Sequence, residues 1–135
     1  VGCDIASLVV ADNQARHGVD GRIAFRALNV ATDPLPAGDI VTVREVFQHL
    51  SNDTILAALA NLRNSFKRAI ITEAVPLTPS RPNLDITSGY RARDGLESGV
   101  YLELAPFGLQ IEDRYEVPVG GNNGGEVLRT LIVKL

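Results

Sequence analysis

Short apolar runs alternate with amphipathic stretches along the first part of the chain. VGCD, at residues 1–4, is typical of the end of a buried strand, and a helix is predicted from Ser7 to about His17. Ser7 is expected to cap this helix, and Gly18 is expected to end it in a left-handed conformation. RIAFRAL, at residues 22–28, alternates between two faces, which predicts a half-exposed strand.

A second helix lies between two further predicted strands. DIVTV, at residues 39–43, is more continuously apolar, as expected for the middle of a parallel sheet. Ser51 is a predicted helix cap, and the apolar residues that follow it recur on one helical face. These residues are Ile55, Leu59, Leu62 and Phe66. RAIITEA, at residues 68–74, predicts another buried strand.

The pattern changes after Glu73. Residues 75–106 include VPLTPSRPNLDITSGYRARDG, a stretch rich in Pro, Ser, Thr and Arg that predicts a long, lid-like surface excursion. LQIEDRYEVPV and EVLRTLIVKL then flank GGNNGG, the pattern of an antiparallel hairpin with a flexible tip. Parallel units followed by an antiparallel pair predict one α/β domain over residues 1–135, built as a three-layer sheet.

Composition narrows the class of protein. The chain has 135 residues, and its 45% hydrophobic side chains are enough for a buried core. Its 13 basic and 16 acidic residues form no long run, so neither nucleic acid nor an anionic membrane is an expected partner. No apolar stretch approaches the ~20 residues of a membrane span. Cys3 is the single cysteine, so neither disulfides nor a metal site is expected, and a cytoplasmic location is favoured.

Four features occur in an order and at spacings that match one protein family. They are Asp4 after the first strand, Asn29-Val30 after the next, DIVTVREVFQHLSN at residues 39–52, and the antiparallel C-terminal hairpin. NLDITSGYR and APFGL are further similar stretches. With these features the chain resembles class I S-adenosylmethionine-dependent methyltransferases, in a bacterial subgroup of unknown acceptor, from the end of their second strand to their C-terminus.

The resemblance implies a Rossmann-like methyltransferase sheet, mostly parallel with an antiparallel C-terminal hairpin, and S-adenosylmethionine as the cofactor. It assigns Asp4 to the ribose hydroxyls, and Asn29 and Val30 to the surroundings of the adenine. Asn29 replaces the family's usual Asp, but its amide can still accept and donate hydrogen bonds. Ile5 is expected to pack on the adenine face, and Arg44 is expected to belong to the same cofactor site.

Candidate catalytic residues follow the DIVTV strand. Ligands of open α/β sheets lie beyond the carboxyl ends of the strands, and Arg44-Glu45 falls at such an end together with Asp4 and Asn29. Because the sulfonium of the cofactor is already activated, the protein has to align an acceptor and, for many acceptors, remove a proton. Glu45 is the expected base, and His49 is the second candidate.

Each of these residues also has a structural explanation. Asp4 and Asn29 are of types that often form turns, and an acid also suits the start of a helix. Glu45 could pair with Arg44 instead of contacting an acceptor. His49 could be a structural hydrogen-bonding residue near the start of the second helix.

Two other stretches could have either a binding or a purely structural role. Arg91 and Arg93 could contact an anionic acceptor, although a solvated loop is the favoured interpretation. The amides of GGNNGG could bind an anion, but no helix follows it, so a plain hairpin tip is favoured.

Other enzyme classes fit the sequence less well. A nicotinamide-dependent reductase also places an acid after its second strand, but the short-chain type needs a Tyr-x-x-x-Lys pair. Tyr90, Tyr101 and Tyr115 have no Lys four residues later. A nuclease or hydrolase is disfavoured because the only histidines are His17 and His49, and because no Gly-x-Ser-x-Gly elbow occurs.

One part of the family's fold has no match in the sequence, and that part would precede Val1. In the family, the first strand and its glycine-rich loop hold the methionine end of the cofactor, and that strand lies at the centre of the sheet. The chain is therefore expected to be a truncated form with its first strand missing. It is expected to bind the cofactor weakly and to form a homodimer or a rearranged sheet. The alternative is a degenerate, non-catalytic methyltransferase-like domain used for association.

Overall fold

The computed structural model describes residues 1–119 and 125–135. Within these residues, strands and helices alternate before two final strands. They are β1 (Gly2–Asp4), α1 (Ser7–His17), β2 (Phe25–Ala27), β3 (Ile40–Arg44), α2 (Asn52–Ser65), β4 (Arg68–Pro76), β5 (Ile111–Val119) and β6 (Glu126–Lys134). One-turn helices lie at Phe47–His49 and Asp94–Leu96. The predicted α/β class and order of elements are confirmed, while the predicted hairpin tip at residues 120–124 lies outside the described residues.

The strands form two separate sheets. In the first sheet β1 pairs in parallel with β2, and in the second the order is β3-β4-β6-β5. β3 runs parallel to β4, whereas β6 runs antiparallel to both β4 and β5. Within the described part of the chain, β1 and β3 each pair with one strand only, so each has a free edge. The break between the two sheets falls where the resemblance places the family's first strand.

The main core lies between α2 and one face of the four-stranded sheet. Side chains of β4 and β6 alternate between buried and half-buried positions, as the period of a strand requires. The buried positions Ala69, Ile71, Leu131 and Val133 belong to the same core as the apolar stripe of α2, where Ile55, Leu59 and Leu62 are almost fully buried. The predicted stripe is therefore confirmed for these three side chains, each of which contributes about 1.5–3 kcal/mol by burial. Phe66, predicted on the same helical face, lies just after the end of α2 in an extended conformation, although it also packs against the core.

The two helices differ in how the backbone groups at their ends are capped. Ser51 caps α2 as predicted, because its hydroxyl accepts a hydrogen bond from the backbone N–H of Thr54 at 3.3 Å. Ser7 does not cap α1, since the capping position is Ala6, which makes no side-chain bond. The left-handed conformation expected of Gly18 is also wrong, because its φ is −89°. A side chain at Gly18 would instead collide with Gln14, whose amide nitrogen would lie 1.9 Å from the added carbon.

The first sheet is much less buried than predicted. α1 has no buried residue, and Cys3, expected inside a buried strand, is an exposed free thiol. The strand predicted at residues 22–28 is reduced to the three residues of β2. The physical reason is that β1 and β2 pair only with each other, so few neighbouring side chains cover them.

The excursion between β4 and β5, residues 77–110, packs back onto the core. Its residues Val100, Leu102, Phe107 and Leu109 are buried in the main core. Arg93, expected in a solvated loop, is 0% exposed. Its guanidinium donates hydrogen bonds to the carbonyl oxygens of Leu84 and Leu50. Arg93 therefore fastens the excursion to the segment that precedes α2.

No helix in the described part of the chain has both the length and the apolar composition needed to cross a bilayer.

Replacing Arg93 by methionine should lower the free energy of unfolding by about 2–4 kcal/mol, because two partly buried carbonyl oxygens lose their donors. Arg91→Met is the matched control, since Arg91 lies two residues earlier on the exposed surface, and it should change stability by less than about 0.5 kcal/mol. Urea unfolding followed by circular dichroism measures both. Equal stability of the two variants would contradict a fastening role for Arg93.

Candidate functional site

Asp4 and Asn29 lie at the carboxyl edge of the first sheet. Asp4 is the last residue of β1 and pairs with Ala27, and its carbonyl accepts a hydrogen bond from the N–H of Leu28 at 3.0 Å. Asn29 follows one residue later on the neighbouring chain segment. Because the two strands are parallel, both polar residues leave the sheet at the same edge.

The side chains of these two residues each make one local hydrogen bond. Oδ1 of Asp4 accepts from the N–H of Ala6 at 2.8 Å, and Oδ1 of Asn29 accepts from the N–H of Ala31 at 3.0 Å. Both therefore serve as turn formers. Among the described residues, Oδ2 of Asp4 and Nδ2 of Asn29 have no partner, so an acceptor and a donor remain for a ligand.

The residues next to this pair differ in exposure. Ile5 is 72% exposed, so its side chain is free to cover a ligand. Val30 instead packs against the main core, and its carbonyl accepts from Nδ2 of Asn61 on α2 at 2.9 Å. The same Nδ2 reaches the carbonyl of Asp33 at 2.8 Å. Asn61 therefore joins the segment after β2 to the helix of the second sheet.

Arg44 and Glu45 lie at the carboxyl end of β3. Glu45 has a φ of 52°, which is uncommon for a residue with a side chain. Its N–H donates to the carbonyl of Thr72 on β4 at 2.7 Å. Nε of Arg44 lies 3.7 Å from a carboxylate oxygen of Glu45, and both side chains are largely exposed. The Glu45 carboxylate is thus available at the sheet edge.

Glu73, on β4, is the buried acid of this region. Its side chain is almost entirely buried, and its carboxylate accepts three backbone hydrogen bonds from the turn after Glu45. Oε1 accepts from Val46 at 3.2 Å and from Phe47 at 2.9 Å, and Oε2 accepts from Gln48 at 3.0 Å. Burial raises the pKa of Glu73 to about 7, although the three N–H groups act in the opposite direction.

His49 ends the one-turn helix that these bonds support. Its Nε2 lies 3.4 Å from Nε2 of Gln48, and its Nδ1 is buried without a partner among the described residues. Its carbonyl accepts from the N–H of Gly89 at 2.9 Å, so the excursion lies directly against it.

A cavity of about 300 Å³ lies on the excursion close to this contact. It is lined by Tyr90, Arg91, Ala92, Gly95 and Leu96. The lining segment is held at two points, because Gly89, just before it, bonds to His49, and Arg93, within it, bonds to Leu50. The guanidinium of Arg91 lies 5.8 Å from the centre of the Tyr90 ring. The cavity therefore has one aromatic face and one cation.

The predicted site residues fall into two groups. The first contains Asp4, Ile5, Asn29 and Val30 beyond the first sheet, and the second contains Arg44, Glu45 and His49 beyond β3. No hydrogen bond or ion pair joins the two groups among the described side chains. Their assignment to a cofactor or an acceptor stays a prediction.

Glu73 is not among the site residues predicted from the sequence. The signal was present, because the alternation of β4 places Glu73 on the same face as the buried residues Ile71 and Val75. A carboxylate on a buried face needs hydrogen-bond partners, which would have singled it out.

No family model and no curated protein sequence matches the chain. Among solved structures, the N-methyltransferase NodS from Bradyrhizobium japonicum WM9 is similar with a TM-score of 0.65 and 14% identity, over 98% of this chain and 72% of NodS. The methyltransferase domain of bacterial CtHen1 is similar with a TM-score of 0.62 and 15% identity, over 99% of this chain and 76% of that domain.

A third similar structure has a cofactor bound. Magnesium protoporphyrin IX methyltransferase ChlM from Synechocystis PCC 6803, solved with S-adenosylmethionine, gives a TM-score of 0.55 and 17% identity, over 96% of this chain and 57% of ChlM. Together with the parallel and antiparallel strand order, these likenesses show that the chain has the Rossmann-like fold of class I S-adenosylmethionine-dependent methyltransferases.

The buried Glu73 predicts a specific dependence of stability on pH. Its pKa is about 7 in the folded protein and 4.5 ordinarily, so the folded state keeps the proton to higher pH. Its contribution to the unfolding free energy is therefore largest below pH 4.5 and declines as the pH rises towards 7, by up to about 3 kcal/mol.

Urea unfolding at several pH values measures this effect against the variant Glu73→Gln, which cannot titrate. The stability of the wild type relative to this variant should fall with rising pH. Glu112→Gln is the control, because its partly exposed carboxylate pairs only with Arg68 at the surface, and its curve should run parallel to that of the wild type. Parallel curves for all three proteins would contradict the burial of an ionisable Glu73.

Proposed function

We propose that this chain carries out S-adenosylmethionine-dependent methyl transfer to an acceptor. The observation that supports this most directly is the parallel pairing of β1 with β2, which brings Asp4 and Asn29 to one edge. This edge belongs to a fold shared with methyltransferases, one of which was solved with S-adenosylmethionine. We place the reaction in a reducing cytoplasm, where the exposed thiol of Cys3 persists.

The first group of residues would hold the adenosine half of the cofactor. The free Oδ2 of Asp4 can accept from a ribose hydroxyl, while Nδ2 of Asn29 can donate to a ring nitrogen of adenine. Ile5 is exposed next to Asp4 and can cover the adenine face. Val30 holds the segment in place, and Arg44 supplies a positive charge at the end of β3.

The second group would act on the acceptor. S-adenosylmethionine, when bound, supplies the activated methyl group. Glu45 has an exposed carboxylate at the carboxyl end of β3, so it can accept the proton that the acceptor loses. His49 lies beyond it, and its imidazole can orient the acceptor. The cavity on the excursion, whose lining begins one residue after the Gly89 that bonds to His49, suits the body of an acceptor with a planar or anionic part, because Tyr90 and Arg91 line it.

The runner-up is a non-catalytic domain used for association, and one observation favours it. β1 and β3 each have a free edge among the described residues, and exposed edges recruit partner strands. Apolar side chains lie near these edges, including Leu8, which is 84% exposed, and Ile40. A homodimer in light scattering, combined with no cofactor binding at all, would favour this role over methyl transfer.

Binding of the cofactor should depend on Asp4. Because Asp4 and Asn29 each offer the cofactor one unpaired polar atom among the described residues, we expect S-adenosylmethionine to bind with a dissociation constant nearer millimolar than micromolar. Asp4→Ala should weaken binding at least tenfold further, which corresponds to about 1.4 kcal/mol.

The matched control is Asp12→Ala, which removes an exposed carboxylate of α1 that pairs with Arg16. It should leave the affinity unchanged, and NMR titration with S-adenosylmethionine measures all three proteins. Equal affinities of the wild type and Asp4→Ala would remove Asp4 from the site.

Glu45→Gln should separate binding from transfer. The substitution keeps the shape of the side chain but removes the base, so methyl transfer should fall at least about a hundredfold. The affinity for S-adenosylmethionine should stay within about twofold, because the adenosine contacts lie beyond the other sheet. Release of S-adenosylhomocysteine in the presence of a panel of amines and hydroxyl compounds measures transfer. Unchanged turnover would leave a mechanism of positioning only.

A further inference from the structure

Glu73 is a buried carboxylate that the proposed reaction does not use directly. Glu73 is 3% exposed and lies near the carboxyl end of β4, directly beside the end of β3. Its carboxylate accepts three hydrogen bonds, which come from the consecutive backbone N–H groups of Val46, Phe47 and Gln48. Burying an acid without hydrogen-bond partners is strongly unfavourable, so the three donors are needed to keep Glu73 buried.

The turn between Glu45 and His49 depends on an outside acceptor. The first N–H groups of a helical turn have no partners within that turn. Glu45, just before them, has a φ of 52°, a conformation that persists only where the surroundings enforce it. Glu73 supplies the acceptor for all three N–H groups, and the N–H of Glu45 is held by Thr72, the residue next to Glu73. β4 therefore fixes both sides of the turn.

We propose that Glu73 is a positioning residue for the transfer reaction, which sets the conformation of residues 45–49 and thereby the placement of the Glu45 carboxylate and the His49 imidazole. This inference rests on the proposed function, since it concerns the two residues assigned there to the acceptor. Glu73 itself is closed off from solvent, so it acts through the backbone it holds and does not contact the acceptor.

The charges around Glu73 come from three directions. Glu45 lies at the end of β3, and its negative charge disfavours a second one at Glu73. The buried Arg93 approaches from the excursion, where Asp85 is also close to it. Arg129 lies directly opposite Glu73 on β6, but it pairs with Glu116 at 2.8 Å and with Glu103 at 3.5 Å. Glu73 therefore accepts hydrogen bonds from backbone N–H groups, while the nearby Arg129 pairs with other carboxylates.

The test compares the wild type with Glu73→Gln and with the surface control Glu112→Gln. The amide introduced by Glu73→Gln would offer a single acceptor oxygen, which can still serve Val46 and Phe47 but leaves Gln48 facing an NH₂ group. In ¹⁵N NMR spectra, Glu73→Gln should therefore shift the amide of Gln48 most and should also shift the imidazole signals of His49. Glu112→Gln should leave these signals in place.

A pH titration adds a readout that a passive structural role would not produce. In the wild type, the amides of Val46, Phe47 and Gln48 should move together as Glu73 titrates, with one midpoint near pH 7. In Glu73→Gln this common movement should disappear. In transfer assays, Glu73→Gln should lower kcat at least about tenfold, while the dissociation constant for S-adenosylmethionine stays within about twofold.

The outcomes separate the two proposals. If the wild type transfers no methyl group, the proposed function fails, and the NMR arm alone decides whether Glu73 sets the turn. A Glu73→Gln protein whose His49 and Gln48 signals match the wild type would overturn the inference. A wild-type kcat in Glu73→Gln would overturn it as well, even if the amides titrate.

Discussion

The hydrogen bonding of β4 along both of its edges is the constraint on which the second sheet depends. β4 pairs with β3 over five residues and with β6 over nine, without a register shift. This fixed register decides which side chains face α2 and where β3 must end. It also places Glu73 within reach of the backbone that leaves β3, so the end of one strand is shaped by a side chain of the next.

The parts of the fold that repeat regularly could be predicted from the sequence. The apolar residues of α2 recur with helical spacing, and Ser51 has the side chain that a helix start requires, so both appear where expected. The same holds for β6, where alternation alone identifies the buried face. These features depend on local geometry, which the sequence carries directly.

The exposure of β1 could not be predicted in this way. VGCD has the apolar character of a buried strand, but burial depends on which strands and helices cover it, and β1 has a single strand neighbour in the described part of the chain. The burial of Arg93, which was expected in a solvated loop, could not be predicted for a related reason. Arg93 lies in a stretch without periodicity, and its burial follows from contacts with Leu50 and Leu84, which no local pattern reveals.

The candidate site could likewise be predicted only in part from the sequence. The placement of Asp4 and Asn29 at one edge follows from the rule that polar residues at the ends of parallel strands share an edge. Glu45 was also placed by that rule, but its left-handed backbone and the bonds from Glu73 to the turn after it depend on contacts between residues 25–27 positions apart. Such contacts become visible only when the strands are assembled.

The sparse packing of β1, α1 and β2 has a consequence for how a ligand could bind there. This unit is joined to the rest chiefly through Asn61 and through Val30, Ala31 and Leu35, while α1 buries no side chain. Little apolar surface is exposed when the unit opens, so its local unfolding free energy is small compared with that of the second sheet. A ligand that bridges Asp4 and Asn29 would therefore stabilise this unit as it binds, and the conformational freedom that the unit loses would offset part of the contact energy. Affinity at this edge is thus coupled to folding of the edge itself, and any partner that stiffens β1 would strengthen ligand binding without touching the ligand.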